Sequence, residues 1–334
     1  MHFPRGLSFL SKGENVLPAE KLKQVIRIIK QGTIRFPVIH KLKDYTANKY
    51  IYILLKTFAL PFAAFRYFFP VKIPQNNGRG LAVVLIAKNE APYIEEWINF
   101  HVRQGVTHFI IYDNESTDNF HEILKPYIDS GLVTYHVIKG KCRQNDAYNM
   151  AVHDYGQKFR YMAFIDADEF LFLREDTDGG NICAFMDRFM SGHPNAGGIA
   201  VNWCNFGSGG HITKPEGSVL RNYTMRADDS FKQNHNVKTV CDPRKVFYYG
   251  YCHAPTYYRG FYNLDENGDI VSGAFTDKVN SKKIRINHYF CKSKEEYIEK
   301  MKRGRADISQ IRDMEDFKFF DRNDKADTEI LSRI

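Results

Sequence analysis

Three carboxylates fall within four residues at Asp166-Ala167-Asp168-Glu169, directly after the apolar run RYMAFI at 160–165. Two acids at i and i+2 beyond a buried strand reach one point at a sheet rim. Hard oxygen ligands there suit Mg2+ or Mn2+ and leave coordination positions for phosphate oxygens and water. Short acidic clusters also occur as helix caps and solvated turns, so the flanks matter. Phe164-Ile165 before the motif and FLFL at 170–173 after it anchor the acids on buried chain.

A second chemical element lies downstream in IRINHYFCKSKEEYIEKMKRG at 284–304, which reads as strand, loop and helix. Ser293 with Glu296 forms a capping box, and Gly304 is a natural stop. The helix start, flanked by Lys292 and Lys294, offers free N–H groups and a positive dipole end to a phosphate. His288 just before it would complete a metal's shell, the alternative being a hydrogen-bonded structural histidine.

The elements that must position these groups follow from periodicity. LAVVLIA at 81–87 is a strand buried on both faces. A helix follows from Pro92 to Gly105, then a strand ending at Asp113, a helix capped within NESTD and running through Tyr127, and the strand LVTYHVI at 132–138. A helix over about 146–155 closes at Gly156, and the next strand delivers Asp166. Alternation of this kind predicts an α/β fold: a doubly wound, mostly parallel sheet flanked by helices. Ligands bind outside the carboxyl ends of such strands. That rim holds Lys88-Asn89-Glu90, Asp113-Asn114, the stretch from Lys139 to Asn145 with Arg143 and Gln144, and the acidic motif.

Composition narrows the class. The 334 residues are 43% hydrophobic, enough for one large domain. The net charge of +8 is uneven: residues 1–80 hold fourteen Lys/Arg against three Asp/Glu, which leaves 33 against 36 in the remainder. A slightly acidic remainder without a basic stripe speaks against nucleic acid. The basic, aromatic-rich N-terminal segment suits an anionic membrane surface, and Lys56, Pro61 and Arg66 make residues 50–71 read better as an interfacial or re-entrant segment than as a spanning helix, the other alternative being a hairpin packed on the catalytic domain. No secretory signal opens the chain, and six scattered cysteines without a CxxC pair favour a reducing cytoplasm. PQNNGRG at 74–80 reads as the linker to a catalytic domain at 81–310, with halves at 81–175 and 176–283, a phosphate- and metal-closing segment at 284–310, and a tail at 311–334. The turn after the first strand reads AKNEAP rather than GxGxxG, and neither GxxxxGK[ST] nor GxSxG occurs. Dinucleotide oxidoreductases, P-loop enzymes and serine hydrolases are disfavoured.

Four segments, KNEAPYIEEW at 88–97 with its continuation to Asp118, FIDADEF at 164–170, WCNFGSGG at 203–210 and INHYFCKSKEEYIEKMKRG at 286–304, together resemble glycosyltransferase family 92 over residues 81–310. The resemblance implies a GT-A fold, a nucleotide-sugar donor that is most often a UDP-sugar, Mn2+ or Mg2+ at the DxD, and transfer with inversion. Galactosyl transfer is a family precedent. Carried over by position, Asp113 contacts the nucleoside, Asp166 the ribose or metal, Asp168 the metal, and His288 with Lys292 the diphosphate. Lys88, Asn89, Glu90, Arg143 and Gln144 are expected on the nucleotide-sugar. Inversion needs a base for the acceptor hydroxyl: Glu169 qualifies by proximity, Asp228 and Asp229 by lying in the acceptor half, although a solvated turn is their plainer reading. Trp203 and Phe206 would stack on an acceptor sugar, with core packing the alternative for Trp203. Lys238 and His253 would touch phosphate or acceptor unless they are structural. The eukaryotic members carry a type II anchor that is not evident here, which favours a bacterial enzyme at the inner face of the cytoplasmic membrane, acting on a glycan or lipid-linked glycan in capsule or lipopolysaccharide assembly. The competing classes are a metal-dependent nucleotidyl or phosphoryl transferase, and a non-catalytic membrane-surface adaptor.

Overall fold

The computed structural model describes residues 26, 49–69, 72–174, 179–307 and 311–334. Apart from Ile26, the basic stretch at 1–48 lies outside them. Helix α1 (Lys49–Phe68) contains Pro61. No described helix is long and apolar enough to cross a membrane.

Next come β1 (Leu81–Ala87), α2 (Ala91–Arg103), β2 (Val106–Asp113), α3 (Phe120–Asp129), β3 (Val133–Val137), α4 (Gln144–Tyr155) and β4 (Tyr161–Phe164). β1, β2, β3 and β4 form a parallel block in the spatial order β4-β1-β2-β3, as the alternating pattern predicts. The apolar run of β1 has a direct cause. Leu81, Val83 and Leu85 join a core with α2, α3 and α5 (Ile182–Gly192), while Ala82, Val84 and Ile86 join a second core with α4 on the other face. Burial on both faces leaves no position for a polar residue.

Beyond β4 the sheet changes character. β5 (Glu169–Leu173), β6 (Ala196–Asn205), β7 (Met225–Arg226), β8 (Val237–Cys241), β9 (Val246–Tyr251), β10 (Ala254–Tyr257), β11 (Tyr262–Leu264), β12 (Ile270–Val271) and β13 (Ile284–His288) follow. β8 lies antiparallel between β4 and β6, and β13 runs between β6 and β5. In register, His288 faces Glu169 on one side and Asn205 on the other. This arrangement delivers the downstream histidine to the DxD motif.

Residues 74–80 are tied down rather than loose. Asn76 donates to the Arg160 carbonyl at 3.1 Å, and a Cβ at Gly78 would sit 2.4 Å from the Phe159 backbone. The six cysteines are all free thiols. After α6 (Lys294–Arg303), the stretch at 311–334 is also packed: α7 (Met314–Phe320) buries Phe317 against Cys291 and Tyr297, and β14 (Lys325–Ala326) pairs β7. Asp327 receives both terminal nitrogens of Arg285, at 3.0 and 3.2 Å, and Nε of Arg226 at 2.9 Å.

Burial would raise the Asp327 carboxyl, yet Arg285 and Arg226 hold it below the usual range. A depressed carboxyl contributes stability that is present above its unfolded pKa and lost as pH falls. Asp327→Ala leaves a buried guanidinium without its main partner, and we expect a loss of about 3–5 kcal/mol, read as a lower midpoint in urea unfolding at neutral pH. An unchanged midpoint would show that this ion cluster does not secure the C-terminal stretch.

Candidate functional site

The acidic motif is built on buried supports. Trp97 Nε1 on α2 donates to the Glu169 carbonyl at 2.8 Å, and His101, one turn on, accepts the Leu171 N–H at 3.1 Å. These bonds fasten β5 to α2 and set where the preceding turn stands. Asp166 accepts from Gln144 Nε2 at 2.6 Å and from Lys238 Nζ at 2.8 Å. Lys238 is fully buried and also lies 3.6 Å from Glu169 Oε2, which itself accepts the Asp166 N–H at 2.8 Å. A buried ammonium thus holds two neighbouring acids.

Asp168 points elsewhere. Lys300 on α6 meets its Oδ2 at 2.5 Å, and His288 Nε2 stands 3.8 Å from its Oδ1. Burial would raise the Asp168 carboxyl, but Lys300 foremost, then His288 and Lys292, hold it well below the carboxylate range. Burial pushes His288 down to about 3 against the pull of Asp168, so its imidazole is neutral. A carboxylate and a neutral imidazole at 3.8 Å are too far apart for a hydrogen bond. One cation with ligand distances of about 2.1–2.2 Å could meet both. Among the described residues no group of three or more His, Cys, Asp or Glu side chains is placed to hold a metal ion. The two side chains, a carboxylate oxygen and an imidazole nitrogen, are of the donor types that divalent ions take.

Around this pair runs a cleft lined by Lys88, Glu90, Asn114, Gln144, Asp166, Asp168, Trp203, His253 and His288, and on its far side by Lys300, Arg303, Arg305, Asp307 and Arg312. Opposite charges are matched across it: Arg303 with Glu90 at 2.5 Å and Arg305 with Asp307 at 2.9 Å, beside the two lysine–aspartate pairs.

A sequence model of glycosyltransferase family 92 matches residues 85–320, most of the chain. The chain belongs to glycosyltransferase family 92. Among curated relatives, a family 92 protein of rice (Oryza sativa subsp. japonica) is 27% identical over 47% of this chain, and the galactan beta-1,4-galactosyltransferase GALS2 of Arabidopsis thaliana is 32% identical over 29% of it. The matches span only 27% and 20% of those relatives' own lengths. Solved structures give partial likenesses. They include S. aureus TarS (TM-score 0.33, 15% identity, 49% of this chain and 47% of that one) and the Pyrobaculum calidifontis mannosyltransferase PcManGT, crystallised with GDP-Man and Mn2+ (TM-score 0.28, 18% identity, 53% and 47%).

Within this family 92 chain, several residues stand apart from their expected places. Lys238 is no acceptor contact, being sealed behind Asp166. Glu169 is fully buried as a partner of Lys238 and does not line the cleft, and burial raises its carboxyl against that lysine. Asp228 and Asp229 lie outside the cleft, paired with Lys325 at 2.8 and 3.0 Å. Phe206 is core, packed on Tyr289. Trp203 lines the cleft but is 8% exposed, with His288 and His253 against its ring at 4.1 and 4.9 Å between centroids, so little of it is left for a sugar.

On the nucleotide side, Asp113 spends its carboxylate on the Ser116 N–H and the Tyr135 hydroxyl, Asn89 holds the Thr117 N–H from a left-handed turn with φ 54°, and Arg143 pairs with Asp146 at 3.2 Å. Lys292 lines an adjoining cavity, its ammonium 3.4 Å from the Tyr93 ring centre. The start of α6 does not offer phosphate its N–H groups, because every one is taken. Ser293 donates to Glu296, Lys294 to the His211 carbonyl, Glu295 to the Ile212 carbonyl and Glu296 to Ser293 Oγ. The cleft cations missed from sequence, Lys300 and Arg303, sit at i and i+3 on this helix, a spacing visible in KMKR just after the His288 motif.

Two buried histidines carry a pH signature. Burial pushes His101 and His253 down to about 3. With folded values below the unfolded value of about 6.5, their stability is present above pH 6.5 and lost as pH falls toward 3, each at up to about 1.4 kcal/mol per pH unit. Urea midpoints should fall between pH 7.5 and 5, and a flat profile would contradict the burial of these rings.

Proposed function

We propose that this chain transfers a sugar from a nucleotide-sugar donor, UDP-linked in the first instance, to a glycan or lipid-linked glycan, with inversion and with Mn2+ or Mg2+ at the donor diphosphate. The carrying observation is the Asp168–His288 pair beside Lys300, in a cleft at the carboxyl rim of a parallel sheet. Family membership and the DxD motif support the same reading. Galactose is the donor sugar to test first, because one relative is named a galactosyltransferase.

When bound, a divalent cation neutralises charge developing on the departing diphosphate. The chain's own residues do the rest. Asp168 and His288 supply the ligating oxygen and nitrogen. Gln144 and Lys238 hold Asp166 in one orientation, at 2.6 and 2.8 Å, so that its position costs no reordering on binding. Lys300 and Arg303, paired with acids in the free protein, stand where they can turn to phosphate oxygens. Trp203 and His253 close the inner wall.

The reading also places the enzyme at an anionic membrane surface, at the inner face of a bacterial cytoplasmic membrane, in surface polysaccharide assembly. Its support is α1. Leu54, Phe58, Phe62 and Phe65 are 56–69% exposed, and at about 100° per residue they lie within one sector of about 80°. The fourteen basic residues of positions 1–80 complement anionic lipid.

Calorimetric titration of UDP and UDP-galactose should show binding with Mn2+ that chelator abolishes and that Asp168→Asn weakens at least tenfold. A folded protein that binds no nucleotide diphosphate with metal present would remove the donor reading. For the membrane, sedimentation with phosphatidylserine vesicles should recover the wild type. Phe58→Asp with Phe62→Asp should lower partitioning more than tenfold, since each buried phenylalanine is worth about 1.5–3 kcal/mol. Equal recovery of both proteins would rule out this face.

A further inference from the structure

His288 has two ring nitrogens, and only the one without a proton can ligate a cation. Which nitrogen that is depends on what the other one meets. His288 Nδ1 lies 3.1 Å from Oδ1 of Asn205, the last residue of β6. An amide presents either an acceptor or a donor, so the orientation of Asn205 decides the tautomer.

That orientation is fixed by main-chain groups that cannot exchange roles. The Asn205 backbone N–H points at Asn234 Oδ1 at 3.0 Å, so that atom must be the carbonyl oxygen. Asn234 Nδ2 then faces the Asp228 carbonyl at 3.0 Å, which accepts only. Asn205 Nδ2 meets the same Asn234 oxygen at 3.0 Å, leaving Asn205 Oδ1 toward the imidazole. Both asparagines are buried, at 0% and 2% exposure, so water offers no alternative partners. The ring of Trp203, 4.1 Å away between centroids, limits its rotation.

We propose that Asn205 and Asn234 are positioning residues that fix His288 as the Nδ1–H tautomer and aim the Nε2 lone pair at the cation site shared with Asp168. The inference rests on the metal reading of that pair. Nε2 and Asp168 Oδ1 then face each other at 3.8 Å as two acceptors with no proton between them, an arrangement that a cation resolves. Outer partners of this kind, which orient a ligating imidazole and raise its basicity, typically contribute 10–100-fold to metal affinity.

The test has two arms on the full chain. In the first, nitrogen NMR of the metal-free wild type with labelled histidine rings, assigned by loss of the signal in His288→Ala, should show Nδ1 protonated and Nε2 bare at neutral pH. A protonated Nε2 would overturn the inference. In the second, Mn2+ affinity with UDP present is read from the electron paramagnetic resonance signal of free Mn2+. Asn205→Ala should weaken binding about 10–100-fold. Wild-type affinity in Asn205→Ala alongside weakened binding in His288→Ala overturns the positioning role and leaves the metal reading intact. Unchanged affinity in both His288→Ala and Asp168→Asn overturns the metal reading and the inference together.

Discussion

The buried ammonium of Lys238 is the constraint from which the cleft is arranged. It stands at the centre of the sheet on β8, the antiparallel strand between β4 and β6, with no exposed surface. An isolated charge there would be prohibitively desolvated, so acids must stand close to it: Asp166 lies at 2.8 Å, and Glu169, whose carboxyl burial raises, at 3.6 Å. Their positions at i and i+3 of one turn follow: Glu169 turns inward and is sealed, and Asp166 is held at the rim. Asp168, between them, is left facing the opposite wall. The local spacing of the DADE motif thus divides one acidic cluster into two groups gathered at Lys238 and a third that faces the cleft.

The opposite wall depends on the same strands. β13 enters between β5 and β6, so His288 arrives directly beside Glu169 and Asn205 in register. From His288 the chain turns into α6, whose Lys300 returns to Asp168 two turns into the helix. Trp97 and His101 of α2 clamp β5 from behind through main-chain hydrogen bonds. Side chains that read as motif residues, the Trp and His of EEWINFH, therefore act through the backbone of the acidic strand and never line the cleft. A motif can mark support as readily as contact.

This explains how much the sequence could disclose. The parallel block, the DxD at a strand end and the capping box at Ser293 rest on local signals, namely apolar runs, stop residues and spacing, and each stands where those signals put it. What sequence could not disclose depends on long-range pairing. Lys238 looks like any lysine until β8 is inserted antiparallel to β4, and Phe206 looks like a platform until Tyr289 covers it. Asp228 and Asp229 read as candidate bases from their place in the acceptor half, but Lys325, nearly a hundred residues later, pairs with them both. The start of α6 satisfied every sequence criterion for an anion site, yet the carbonyls of His211 and Ile212 and its own capping box use its donors. Capping is a local property, whereas availability of a capped terminus is a tertiary one.

The cleft is a set of matched charges: Asp166 with Lys238, Asp168 with Lys300, Glu90 with Arg303, and Asp307 with Arg305. In a partly dry site neither half of such a pair can readily be left alone, because an uncompensated charge there is costly. A bare cation would take Asp168 from Lys300 and strand the lysine, and a bare diphosphate would take Lys300 and strand the acid. Were a cation and a diphosphate to bind together, Asp168 and Lys300 would each trade one counter-charge for another. Coupling between the proposed metal and donor would then arise from the pairing already present in the cleft. Lys238 is exempt from the exchange, because it alone among these cations is fully sealed and cannot turn toward a ligand.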